Sequence, residues 1–125
     1  MDKQVDTKLP PGLQEIFDSR SMLESFHDFT ANLFCEENLL FLEDVIQMKR
    51  SGSASQLQPI FSKYIKEASP LQVNVDGSLQ APIASKFERG AKPEDLTVFD
   101  GAFHHVAALV EQDSVRKFFE RRAAG

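Results

Sequence analysis

The chain has 125 residues, 42% of them apolar and 26% charged, and carries a formal charge of −5. That is the make-up of one ordinary globular domain, long enough to bury a core without disulfide or metal staples. The acidic excess argues against duplex nucleic acid as a partner, because no basic surface is available to neutralise a run of phosphates.

Residues 1–12 are polar and end in Pro10-Pro11-Gly12, so they are expected to run extended to the first helix. Leu13, Ile16 and Phe17 then make a short amphipathic helix. Ser21 and Glu24 have the spacing of a capping box, in which each side chain satisfies a free N–H at a helix start. Met22, Phe26, Phe29 and Leu33 follow at steps of four, three and four, one helical stripe. Leu39, Leu42, Val45 and Ile46, with Phe41 beside them, form a second stripe that ends at Lys49-Arg50, where cations suit the negative end of the helix dipole. Ser51-Gly52-Ser53 breaks that pattern.

Leu57, Ile60, Phe61, Tyr64, Ile65 and Ala68 give the cleanest helical register in the chain, with Pro59 restricting its start and Ser69-Pro70 expected to end it. Residues 71–77 alternate apolar and polar. With no second strand to pair with, they read as a pinned extended loop with Asn74 pointing away from the core. Ser78 is expected to cap a short helix carrying Leu79, Ile83 and Phe87. A loop from Gly90 to Pro93 leads to a helix start at Pro93-Glu94-Asp95, continued by Phe99, Phe103, Val106, Leu109 and Val110. Gln112-Asp113-Ser114 is read as the restart of a last helix with Val115, Phe118 and Phe119 on its apolar face. The fold class is all-α, with eleven phenylalanines and no tryptophan to fill the core.

Few constellations carry chemistry. His104 and His105 are adjacent, so on a helix they point about 100° apart and cannot both face one ion. Cys35, the single cysteine, lies between apolar Leu33-Phe34 and acidic residues and reads as a small hydrophobe. Being alone, it forms no internal disulfide, which fits a reducing, cytosolic setting. No apolar run approaches the roughly 20 residues of a membrane span, and the opening residues lack the apolar stretch of a signal peptide. Arg116, Lys117, Arg121 and Arg122 read first as a solvated helix face, with an acidic membrane surface or a partner as the alternative. Neither a metal nor a cofactor is implied. What stands out is a set of polar residues in turns: Glu36-Glu37-Asn38, Asn74 and Asp113-Ser114.

Three blocks in order resemble the regulator of G-protein signalling (RGS) domain: SFHDFTANLFCEENLLFLEDV (25–45), YIKEASPLQVNVD (64–76) and VFDGAFHHVAALVEQDSVRKFFE (98–120). The resemblance covers residues 13–122, leaving 1–12 as a polar N-terminal segment. It implies an RGS-like fold of about nine short helices, a four-helix bundle plus a bundle of the terminal helices. It further implies a monomeric GTPase-activating protein for a heterotrimeric Gα subunit in its GTP-bound or transition-state form, working in the cytoplasm or at the inner face of the plasma membrane. Such domains donate no catalytic side chain; they hold the Gα switch segments while the Gα's own glutamine and arginine act. By this resemblance Glu37 and Asn38 touch the switch segments, Asn74 reaches beside the catalytic glutamine, Asp113 and Ser114 accept hydrogen bonds from a switch threonine, Leu109 adds an apolar contact, and Lys117 stands where the family tends to arginine. The two departures that bear on the partner are Gln80, where arginine is common, and Lys117; Leu42, where tryptophan is usual, is a change in the core. The alternative is a scaffold or tether of the same fold that binds a partner without stimulating GTPase.

Overall fold

The computed structural model describes residues 7–88 and 93–124, and over these the chain is helical with no strand. Seven α-helical segments follow one another: α1 (Pro11–Phe17), α2 (Arg20–Asn32), α3 (Glu36–Ser51), α4 (Leu57–Ile60), α5 (Gly77–Lys86), α6 (Asp100–Val110) and α7 (Arg116–Ala124). A 3-10 turn (Ala54–Gln56) leads into α4, and five-residue π turns follow α4 (Phe61–Ile65) and α6 (Glu111–Val115).

The helix ends show which local signals operate. Pro11 occupies the first turn of α1, where its missing N–H is no loss, so helix begins inside the stretch expected to be extended. Leu9, just before it, is buried in the core. The cap of α2 is Ser19 and not Ser21: its hydroxyl accepts the Met22 N–H at 3.2 Å. Glu36 and Glu37 occupy the first turn of α3 and Lys49 and Arg50 its last, both favourable to the dipole, and Gly52 closes the helix at φ 66° with its N–H on Met48 O.

Four further expectations are corrected. The register from Leu57 ends at Ile65, because the π turn closes on Lys66 and leaves Ala68 exposed at φ 63°. Asp76, not Ser78, caps α5, its carboxylate accepting the Ser78 and Leu79 N–H groups. Pro93-Glu94-Asp95 starts no helix; Asp95 instead accepts the Thr97 N–H and hydroxyl in a turn, and α6 begins at Asp100. Nor is there a restart at 112–114, since α6 passes through the π turn directly into α7. Gly90 and its neighbours in the expected loop lie outside the described residues, as do residues 1–6.

Two aromatic groups organise the core. Phe118 of α7 packs edge-on against Phe26 and Phe29 of α2, with ring centres 5.1 and 5.5 Å away. In the other group Phe41 of α3 meets Tyr64 and Phe99, while Phe87 stacks between Phe61 and Phe99 at 4.3 and 5.8 Å. Each ring pair adds about 0.5–1.5 kcal/mol to the burial of its rings. The first group joins α2 to α7, and the second gathers α3, the π turn after α4 and the residues flanking α5 and α6, all within one buried cluster. Leu42, standing where the family's tryptophan is usual, is fully buried in α3.

Candidate functional site

The candidate residues sit at the start of α3, in the loop between α4 and α5, and in and beside the π turn joining α6 to α7, with Leu109 at the end of α6 and Lys117 at the start of α7. The antiparallel packing of α3 and α6 decides how the first and third relate. Near the end of α3, Lys49 Nζ pairs with the carboxylate of Asp100 at the start of α6. At the other end, Cys35 Sγ lies 3.7 Å from Ser114 Oγ. Cys35 immediately precedes α3 and Ser114 lies in the π turn, so Glu37 and Asn38 share one end of the bundle with Asp113 and Ser114.

The side chains differ in what they can offer. Glu37 is half-buried. Asn38 is also half-buried, yet its Oδ1 is fully enclosed and has no hydrogen-bond partner. An enclosed amide oxygen without a donor costs free energy, so such an atom calls for an explanation. Ser114 is buried, whereas Asp113 is exposed and pairs with Lys117 Nζ at 2.9 Å, one turn along. Leu109, near the end of α6 and one turn before Asp113, is half-buried.

Asn74 stands on a separate stretch. The loop after α4 is pinned by Leu71 N–H on Lys63 O and Val73 N–H on Tyr64 O. Val73 is buried, Leu71 and Val75 are half-buried, and Asn74 between them is exposed. The outward direction of Asn74 therefore follows from the alternation, since a pinned extended segment must show every second side chain to solvent. Beyond it, the Ser78 hydroxyl donates to Asp76, and this bond is the main cause that holds the Asp76 carboxyl below the usual carboxylate range. The backbone N–H groups of Leu79 and Ser78, and the imidazole of His105, act in the same direction. α5, which Asp76 caps, packs against α6, with Leu79 facing Gly101 near the start of that helix.

Four features were not anticipated from the sequence. Leu33 and Phe34 are 44% and 92% exposed, so the apolar setting expected around Cys35 does not exist. Phe34 ends α2 at φ 58°, a left-handed position that favours glycine. Cys35 is half-buried, and its thiol contacts the carbonyl of Thr30 as well as Ser114. Finally, both carboxylate oxygens of Glu111 are used inside the chain, accepting the Gly12 N–H at 3.0 Å and the Leu13 N–H at 2.8 Å. A residue 99 positions away cannot be found from local pattern.

Of the two adjacent histidines, His104 is exposed and His105 half-buried. Arg116, Lys117, Arg121 and Arg122 are all exposed; Arg116 pairs with Glu120 and Arg122 lies over the Phe118 ring. Gln80, at the other departure from the family pattern, directs its amide to Ile65 O at 3.5 Å.

Comparison with known proteins places these features in a family. The regulator of G protein signaling domain model matches residues 12–122. The chain is similar to regulator of G-protein signaling 16 of Rattus norvegicus, 28% identical over 114 residues, which covers 88% of this chain and 55% of that protein. Its similarity to regulator of G-protein signaling 16 of Bos taurus is 30% over 120 residues, covering 90% and 57%. With regulator of G-protein signaling rgs-7 of Caenorhabditis elegans it shares 30% over 102 residues, 78% of this chain but 12% of that protein. The chain thus spans little more than half the length of the mammalian relatives and a small part of the nematode one.

Proposed function

The chain belongs to the regulator of G protein signaling family, and on that premise we propose that it is a GTPase-activating protein for a heterotrimeric Gα subunit. It binds the GTP-bound or transition-state form through Glu37, Asn38, Asn74, Leu109, Asp113, Ser114 and Lys117. The observation that carries this reading is the 3.7 Å approach of Cys35 and Ser114, which gathers the acceptors of two distant turns on one end of the bundle.

The chemistry needs nothing else from this chain. A rigid rim of carboxylate, amide and hydroxyl acceptors suits the backbone N–H groups of mobile loops, and ordering those loops lowers the hydrolysis barrier through position alone. The acidic turns favour a partner surface rich in N–H or basic groups. No described helix is long and apolar enough to cross a membrane, and the proposed place of action is the cytoplasm, at the inner face of the plasma membrane where Gα resides, with the domain acting as a monomer.

Single-turnover GTP hydrolysis by a panel of Gα subunits, with and without the protein, is the test. Acceleration of at least one member is expected; a panel with no accelerated member overturns the proposal.

A second reading, a tether that binds without stimulating hydrolysis, is favoured by the two departures from the family pattern. Gln80 is turned to the Ile65 carbonyl and Lys117 is paired with Asp113, and lysine lacks the planar fork of arginine. Equal capture of the GDP form and of GDP with aluminium fluoride would favour the tether.

A further inference from the structure

We infer that Glu111 is a positioning residue, which holds the π turn 111–115 in the register that presents Asp113 and Ser114; this rests on the function proposed above. A π turn contains one residue more than the α-helix around it, and such turns are uncommon and frequently lie at functional sites. Relaxation of that turn to regular α-helix would rotate its residues about 100° around the helix axis. Asp113 would leave its outward position and Ser114 its contact with Cys35.

Three contacts oppose that relaxation, and all meet at the beginning of α1. Glu111 accepts the Gly12 N–H with one carboxylate oxygen and the Leu13 N–H with the other. A bidentate ionic acceptor of this kind is directional, so it fixes the orientation of residue 111 as well as its distance. Gly12 also packs against the end of the same turn. A Cβ placed on it would lie 2.8 Å from Glu111 Oε2 and 2.8 Å from Val115 Cγ1. The absence of a side chain at position 12 therefore lets α1 clamp both ends of the π turn, residues 111 and 115. From there the connection continues through Ser114 to Cys35 and the start of α3. The clamp touches no residue proposed to meet Gα.

The clamp can be loosened from either side. Glu111→Gln leaves one acceptor oxygen and sets an NH2 group against a backbone N–H. Gly12→Ala pushes the carboxylate away with a methyl group, without altering residue 111. Glu15→Gln, an exposed change on the same helix, serves as the control. Amide hydrogen exchange of the free chain comes first. Residues 112–116 should exchange about tenfold faster in both variants, while the amides of α3 keep their protection and so report an intact fold. Binding to Gα with GDP and aluminium fluoride should then weaken about tenfold in both variants and not in the control. Unchanged exchange at 112–116 overturns the clamp whatever Gα does. Faster exchange with undiminished Gα binding overturns its positioning role. A wild-type chain that binds no Gα defeats the function proposed above and the presentation of Asp113 and Ser114 with it, while the exchange arm still decides whether Glu111 holds the turn.

Discussion

Cys35 Sγ and Ser114 Oγ lie 3.7 Å apart across 79 residues of sequence, and their contact joins the start of α3 to the turn between α6 and α7. Ser114 is buried, so a larger side chain there must separate these two elements. Ser114→Leu is expected to destabilise the fold by about 1–3 kcal/mol through overpacking. It should weaken Gα binding by more than that loss alone explains, because Asn38 and Asp113 are driven apart. Denaturant unfolding and a binding titration on the same preparation check both parts.

Asn74 gives the opposite pattern. It is exposed and contributes no hydrogen bond among the described residues, so Asn74→Ala should leave stability within about 0.5 kcal/mol of wild type. The acceleration of single-turnover GTP hydrolysis should fall. An unchanged rate would remove Asn74 from the site, and a large drop in melting temperature would make the residue structural.

Lys49 and Asp100 close the far end of the α3–α6 pair, with side chains 4% and 25% exposed. Removing the acid takes one partner from a buried ammonium group, whereas replacing the lysine with a similar apolar chain leaves no buried charge. Asp100→Ala is therefore expected to cost up to about 3 kcal/mol, and Lys49→Met clearly less. Equal costs in denaturant unfolding would show that the pair acts through attraction and not through the burial of one charge.

Asp76 supplies the pH dependence. Its carboxyl lies below the usual range because the Ser78 hydroxyl, and then the backbone N–H groups of Leu79 and Ser78, bond to the charged form. A depressed folded-state pKa stabilises the fold above the unfolded-state value, and that contribution disappears as pH falls through the folded-state value. Asp76→Ala should melt earlier than wild type at neutral pH, and the gap should narrow in acid below the ordinary carboxylate range. A gap independent of pH would assign the effect to the substitution of alanine in the backbone cap alone.

Phe34 is strained at φ 58° and 92% exposed, so it gives up conformational energy without burying its ring. Phe34→Gly should raise stability by about 1 kcal/mol, the usual penalty of a left-handed non-glycine residue. Thermal melting checks the sign; a fall would mean that the ring contributes more than its exposure indicates.

Much of this molecule could be read from neighbouring residues. The stripes through Phe26, Val45, Ile60 and Phe103 report helices because a helix repeats every 3.6 residues, and the exposure of Asn74 follows from two flanking valines that face inward. Glu36-Glu37 was legible as a helix start as well, whereas Asp113-Ser114 lies inside a continuous helix. Where local reading failed, a competing local choice had prevailed. Ser19 took the cap in place of Ser21, Asp76 in place of Ser78, and the π turn carried α6 on where Gln112-Asp113-Ser114 suggested a restart.

Periodicity alone determined that this is a helical chain with acceptors in its turns. Tertiary structure alone decided which turns meet: Ser114 with Cys35, Glu111 with Gly12, Asp100 with Lys49. The physical reason is range. Caps and helix register are settled within about four residues by hydrogen bonds of the backbone itself, whereas the meeting of helix ends depends on how α3 and α6 share one apolar core. That depends on the whole set of buried side chains and has no signature in any single stretch of sequence.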